Sequence, residues 1–114
     1  MSQITTHVLD TATGLPASNL AITLFAQQPD GQFIALNSGI TNSDGRLPGL
    51  LADDVVLAEG TYKVLFETRA YHEAQQQDCF YPYAEVVFSI PGDGQHYHIP
   101  LLLSPYGYST YRGS

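Results

Sequence analysis

The sequence predicts an all-β protein, a sandwich of two sheets that carries one short helix. Three observations lead there. Turn residues recur at short intervals along the 114-residue chain. Residues between the turns alternate apolar and polar with the period of two that a half-buried strand requires. The strand–helix–strand rhythm of a parallel α/β sheet is missing.

The elements follow in order. In Ile4–Asp10, Ile4, Thr6 and Val8 oppose Thr5, His7 and Leu9, and Thr13-Gly14-Leu15-Pro16 closes the strand. Residues 20–27 place Leu20, Ile22, Leu24 and Ala26 on one face before the turn Pro29-Asp30-Gly31. Phe33–Ile40 is a third strand, ended by Thr41-Asn42-Ser43-Asp44-Gly45, and a short fourth lies within 46–51. A fifth strand, 61–68, turns Tyr62, Val64 and Phe66 inward. Residues 69–77 break the pattern, because Ala70, His72, Glu73, Ala74, Gln75 and Gln76 favour helix and no Gly or Pro intervenes. This predicts one short helix, with His72 on its surface. Strands resume at 83–90, 95–103 and a last stretch ending near Arg112, separated by Pro91-Gly92-Asp93-Gly94 and Ser104-Pro105. The length fits one domain over residues 1–114, with a single modest core.

Composition narrows the function. Four basic residues against eleven acidic give a net charge of −7, which argues against nucleic acid or an anionic membrane as partner. The single cysteine, Cys79, rules out an internal disulfide framework and fits a reducing compartment. The N-terminus has neither a basic n-region nor an apolar h-region, and no apolar run reaches membrane-spanning length. These features predict a soluble, cytoplasmic protein.

The C-terminal segment is unusual. Most domains end in a frayed polar tail, whereas this chain ends on a Tyr-rich stretch closing with Tyr111-Arg112-Gly113-Ser114. Upstream, His96 and His98 project from one face of a strand, roughly 7 Å apart, while Tyr97, Ile99, Leu101 and Leu103 form a core stripe on the other. Pro100 and Leu102 share the histidine face, so the strand is expected to be covered on both sides, by a ligand or a second subunit. A His-x-His pair on a strand suits either a metal ion or acid–base chemistry. Taken alone, His7 reads as a satisfied or half-exposed strand residue, and Arg46 as a solvated charge after the Asp44-Gly45 turn. There is no Gly-rich phosphate loop and no nucleophile-elbow serine.

Taken together, several blocks resemble one family. They are His7-Val8-Leu9-Asp10 with Gly14-Leu15-Pro16-Ala17, Asp44-Gly45-Arg46, the run from His96-Tyr97-His98 through Ser104-Pro105, and the terminal Tyr111-Arg112-Gly113-Ser114. In this order the chain resembles the 5-hydroxyisourate hydrolase branch of the transthyretin-like family over essentially its whole length. The terminal motif is the specific part, because the hormone-carrying transthyretins lack it. The resemblance implies a transthyretin-like sandwich of two four-stranded sheets with one short helix. It also implies a homotetramer, a dimer of dimers, with sites in a channel between dimers. The implied reaction is hydrolysis of 5-hydroxyisourate to 2-oxo-4-hydroxy-4-carboxy-5-ureidoimidazoline in urate and purine breakdown, with no metal or other cofactor. The implied catalytic residues are His7, Arg46, His98 and Ser114, and His7, Arg46, Tyr111 and Arg112 would bind substrate. Either His98 or His7 would serve as the base. The alternative is a transthyretin-like carrier of small ligands without enzymatic activity.

Overall fold

The computed structural model describes residues 2–113. Eight strands and one helix follow in the order β1 (Ile4–Asp10), β2 (Leu15–Pro16), β3 (Ala21–Gln27), β4 (Phe33–Ile40), β5 (Gly60–Phe66), α1 (Thr68–Ala74), β6 (Ala84–Ile90), β7 (Tyr97–Ser104) and β8 (Gly107–Thr110). They form two four-stranded sheets, β2-β1-β7-β8 and β4-β3-β5-β6. The predicted two-sheet sandwich with one short helix is what the chain adopts.

The alternation that predicts each strand also builds the core. Ile4 and Val8 from β1 and Ile99, Leu101 and Leu103 from β7 face Ile22 and Leu24 of β3 and Val64 and Phe66 of β5, all buried. Each such side chain contributes about 1.5–3 kcal/mol through burial. The pairing that matters most for function is β1 with β7. These strands run parallel, with Thr5 opposite His98 and His7 opposite Pro100. Since side chains alternate, the core stripe on both strands forces Thr5, His7 and His98 onto the outer face of the same sheet.

Three expectations need correction. Residues 46–51 form no strand; Arg46 makes a single bridge to His7, and Pro48, two residues on, has no N–H to offer a ladder. The eighth strand is instead Leu15–Pro16, which pairs with the end of β1 where the sequence reads as turn alone. The helix is shorter than 69–77, because Gln76 takes a left-handed conformation (φ 58°) that an α-helix does not continue through.

The third correction concerns His72. It is 1% exposed, on the inner face of α1 with Thr68 and Tyr71. Its Nδ1 lies 2.8 Å from Gln77 Oε1, while its Nε2 has no hydrogen-bond partner. Beside it, Tyr71 donates its hydroxyl to Asp10 Oδ2 at 2.7 Å, and the Ala12 and Thr13 amides donate to Asp10 Oδ1 at 3.0 and 3.2 Å. These bonds satisfy the fully buried Asp10 carboxylate and pin the helix to the end of β1. Burial, and then the Asp10 hydrogen bond and charge, push the Tyr71 phenol well above its ordinary range.

Candidate active site

The outer face of the β1–β7 pair carries the site. Arg46 reaches it through a tight turn whose geometry follows from its residues. Asn42 Oδ1 accepts from the Asp44 and Arg46 amides at 2.9 and 3.1 Å, and the Gly45 amide donates to the Asn42 carbonyl at 2.9 Å. Gly45 has φ 73°, and its carbonyl accepts from the Val8 amide at 2.8 Å. A Cβ at Gly45 would run into the Val8 carbonyl oxygen, so glycine is required both by conformation and by close approach. The turn thereby delivers Arg46 to the bridge with His7.

His98 projects outward from β7 and is partly buried. Its Nδ1 lies 2.8 Å from Thr5 Oγ1, and the same oxygen lies 2.8 Å from His96 Nε2. The two imidazoles are nearly parallel, with centroids 6.4 Å apart and planes 24° apart. Burial, followed by electrostatic repulsion of the protonated ring by Arg46 and by the neighbouring His96 and His7, lowers the His98 pKa from its ordinary value; the Thr5 backbone works in the opposite direction. The lowered pKa favours the neutral imidazole of His98. Thr5, Arg46, His96 and His98 line a cleft of about 590 Å³, together with Asp53 and the Leu47–Pro48 segment.

The chain end reaches His98 by a different route. The Gly113 amide donates to the His98 carbonyl at 2.8 Å, in an antiparallel bridge that extends the sheet beyond β8. A Cβ on Gly113 would stand 2.6 Å from His98 Cδ2 and 3.3 Å from Pro100 Cγ, so only glycine lets the terminal segment lie flat on the imidazole. Arg112 turns away from this cleft. Its guanidinium sits 4.6 Å from the Tyr97 ring centroid, and Tyr97 donates its hydroxyl to the Asp93 carboxylate at 2.8 Å. Tyr111 and Arg112 line a second cleft of about 390 Å³, in whose wall His98 also takes part.

The sequence-predicted residues thus divide. His7, Arg46 and His98 come together, with His96 beside them. Tyr111 and Arg112 lie across His98 on the second cleft, and Ser114 falls outside the described residues. Thr5 is the residue that sequence reasoning missed. The signal available was its place two residues from His7 on one strand face; its approach to His98 depends on a parallel register between segments more than ninety residues apart. Among the described residues, no three His, Cys, Asp or Glu side chains are grouped to hold a metal ion, and no helix is long and apolar enough to cross a membrane.

Comparison with known proteins places this arrangement. The model of the HIUase/Transthyretin family matches residues 4–113. The chain belongs to that family. A mouse relative in it, 5-hydroxyisourate hydrolase, is 51% identical over 114 residues, covering 99% of this chain and 96% of its own. The 5-hydroxyisourate hydrolase of Salmonella typhimurium is 44% identical, covering 97% of this chain and 80% of its own. Among solved structures, sea bream transthyretin in complex with thyroxine superposes with a TM-score of 0.92 at 32% identity, covering 98% of this chain and 95% of that one. Proteins named as hydrolases and a transthyretin named as thyroxine-bound therefore resemble this chain.

Proposed function

We propose that this protein hydrolyses 5-hydroxyisourate, as its relatives' names indicate for them, within a single domain spanning residues 1–114. The observation that carries the reading is His98, its pKa lowered by burial and by Arg46, held in one cleft with that arginine. Ring opening needs a nucleophilic water and a place for negative charge on the attacked carbonyl oxygen. In the proposed reaction a water oxygen bonds to a ring carbonyl carbon while His98 takes the water's proton. The tetrahedral oxyanion forms near Arg46, which also attracts the anionic substrate. The intermediate then breaks its carbon–nitrogen bond, and the proton held on His98 passes to the departing nitrogen. His7, next to Arg46, orients substrate or donates a hydrogen bond, while Tyr111 and Arg112, on the neighbouring cleft, would bind substrate from the other side of His98. General-base catalysis of this kind is worth ~10²–10⁴ in rate.

The carrier reading draws on the likeness to thyroxine-bound transthyretin. It leaves the His98–Arg46 pairing without a task, because holding an aromatic ligand needs no base. One assay separates the two: 5-hydroxyisourate generated in place from urate is followed with and without the protein. Accelerated decay is expected, with His98→Ala and His7→Ala each slower by about 10² or more while assembly persists. Decay at the spontaneous rate would overturn the hydrolase reading. Because an imidazole activates the water, chelator should leave the rate unchanged; loss of activity restored by zinc would move activation to a metal.

A further inference from the structure

We propose that Thr5 is a positioning residue whose hydroxyl, backed by His96, fixes the tautomer of His98 so that Nε2 stays bare on the cleft side; the inference rests on the hydrolase reading above. A threonine hydroxyl carries one proton and can accept others. Thr5 Oγ1 lies 2.8 Å from two ring nitrogens, His98 Nδ1 and His96 Nε2. One hydroxyl proton cannot serve both nitrogens, so at least one ring must donate. Two ordered chains are available. In the first, His98 Nδ1–H donates to Thr5, and Thr5 donates to His96 Nε2, leaving His98 Nε2 with a lone pair. In the second the direction is reversed, and His98 Nε2 carries the proton.

The cleft chemistry selects the first chain. Thr5 engages Nδ1, so Nε2 is the ring nitrogen left to the cleft, and Arg46, which lines that cleft with His98 and is a donor only, favours a lone pair there over an N–H. A base oriented in this way needs no rearrangement before it accepts a proton from water. His96 thereby gains a role as the acceptor at the end of the chain. It is exposed, lies just outside β7, and reaches the His98 Nδ1 side through its hydrogen bond with Thr5.

Ring ¹⁵N shifts of His98 in the assembled, substrate-free protein test this, with Thr5→Val and Thr5→Ser as variants. Val is isosteric and suited to a strand; Ser keeps the hydroxyl. The expected result is Nδ1–H with bare Nε2 in the wild type and in Thr5→Ser, and mixed tautomers in Thr5→Val. On 5-hydroxyisourate, Thr5→Val should lose about 10-fold or more in kcat with KM within about 2-fold, and Thr5→Ser should recover most of it. A wild-type His98 protonated at Nε2 would overturn the proposal, and so would a Thr5→Val protein with wild-type tautomers and kcat. Should Thr5→Val fail to fold, the wild-type shifts still decide. Expected tautomers in a protein that does not hydrolyse the substrate would support the Thr5 assignment and overturn the substrate reading instead.

Discussion

Gly113 meets the His98 ring so closely that its missing side chain is a functional feature. A methyl group there would stand 2.6 Å from His98 Cδ2, so either the imidazole tilts or the terminal segment lifts away. Gly113→Ala should therefore cut kcat by about 10-fold or more, because a tilted base loses its alignment with water. Melting temperature should barely move, since the affected segment adds little burial. Steady-state kinetics beside a thermal melt would check this, and full activity in the variant would show that the chain end does not set the ring. Arg46 acts on the same ring through charge. Since burial, and then Arg46, hold the His98 pKa below its ordinary value, the base stays neutral, and so active, to lower pH than a free histidine. Activity should fall as pH drops through that depressed value. Arg46→Met should move the acid limb of the kcat/KM profile upward as well as slow the reaction, whereas an unmoved limb would mean that Arg46 does not reach the base. The approach of His7, Arg46 and His98 to one another was legible from the blocks that carry them; the terminal motif places Tyr111 and Arg112 on the second cleft, which the sequence did not separate from the first. Thr5 was not legible, because its approach to His98 arises only when β1 and β7 align in parallel.

Elements divide in the same way. Strands whose cores alternate cleanly, such as β1, β5 and β7, lie close to where the pattern predicts them, since period-two burial leaves few other registers. Leu15–Pro16 and Arg46 are defined by tertiary docking onto β1, which local pattern does not encode. Helix α1 was legible as a helix but not in its orientation. A seven-residue helix makes only two turns, too few for its polar and apolar faces to separate, and His72 lies inward through its bond to Gln77. His72→Ala should then destabilise the fold by about 1–3 kcal/mol, through a lost hydrogen bond and a cavity. His72→Phe should cost less, because it refills the space and removes an Nε2 that has no partner. Denaturant melts of both variants would test this, and kcat should remain at the wild-type value. An unchanged midpoint in His72→Ala would return the residue to the surface role that the sequence suggested.

At the scale of the whole molecule, both sheets end in strands that are not covered. β6 and β8 are edge strands, and Val87 and Tyr108 on them are exposed along with Phe80, Tyr81, Tyr83 and Tyr106 nearby. An open edge rimmed with aromatic residues invites pairing with another chain, and a small domain gains stability by closing it. Such pairing joins subunits side by side into a dimer. It leaves free the outer face of β1 and β7, where His7, Leu9, His98 and Leu102 are half-buried and where Thr5, Arg46 and His98 line the cleft. A second dimer laid over that face would turn an open cleft into a channel, excluding bulk water from the base and strengthening the field of Arg46. The expected assembly is thus a homotetramer, a dimer of dimers, and activity should depend on it. Val87→Lys and Tyr108→Lys place charge in the edge pairing without touching the cleft. Light scattering should show each variant shifted toward monomer, with kcat/KM on fresh 5-hydroxyisourate falling in step. A variant that runs as a monomer at full activity would mean that the cleft of one subunit is sufficient and that the channel is not part of the catalyst.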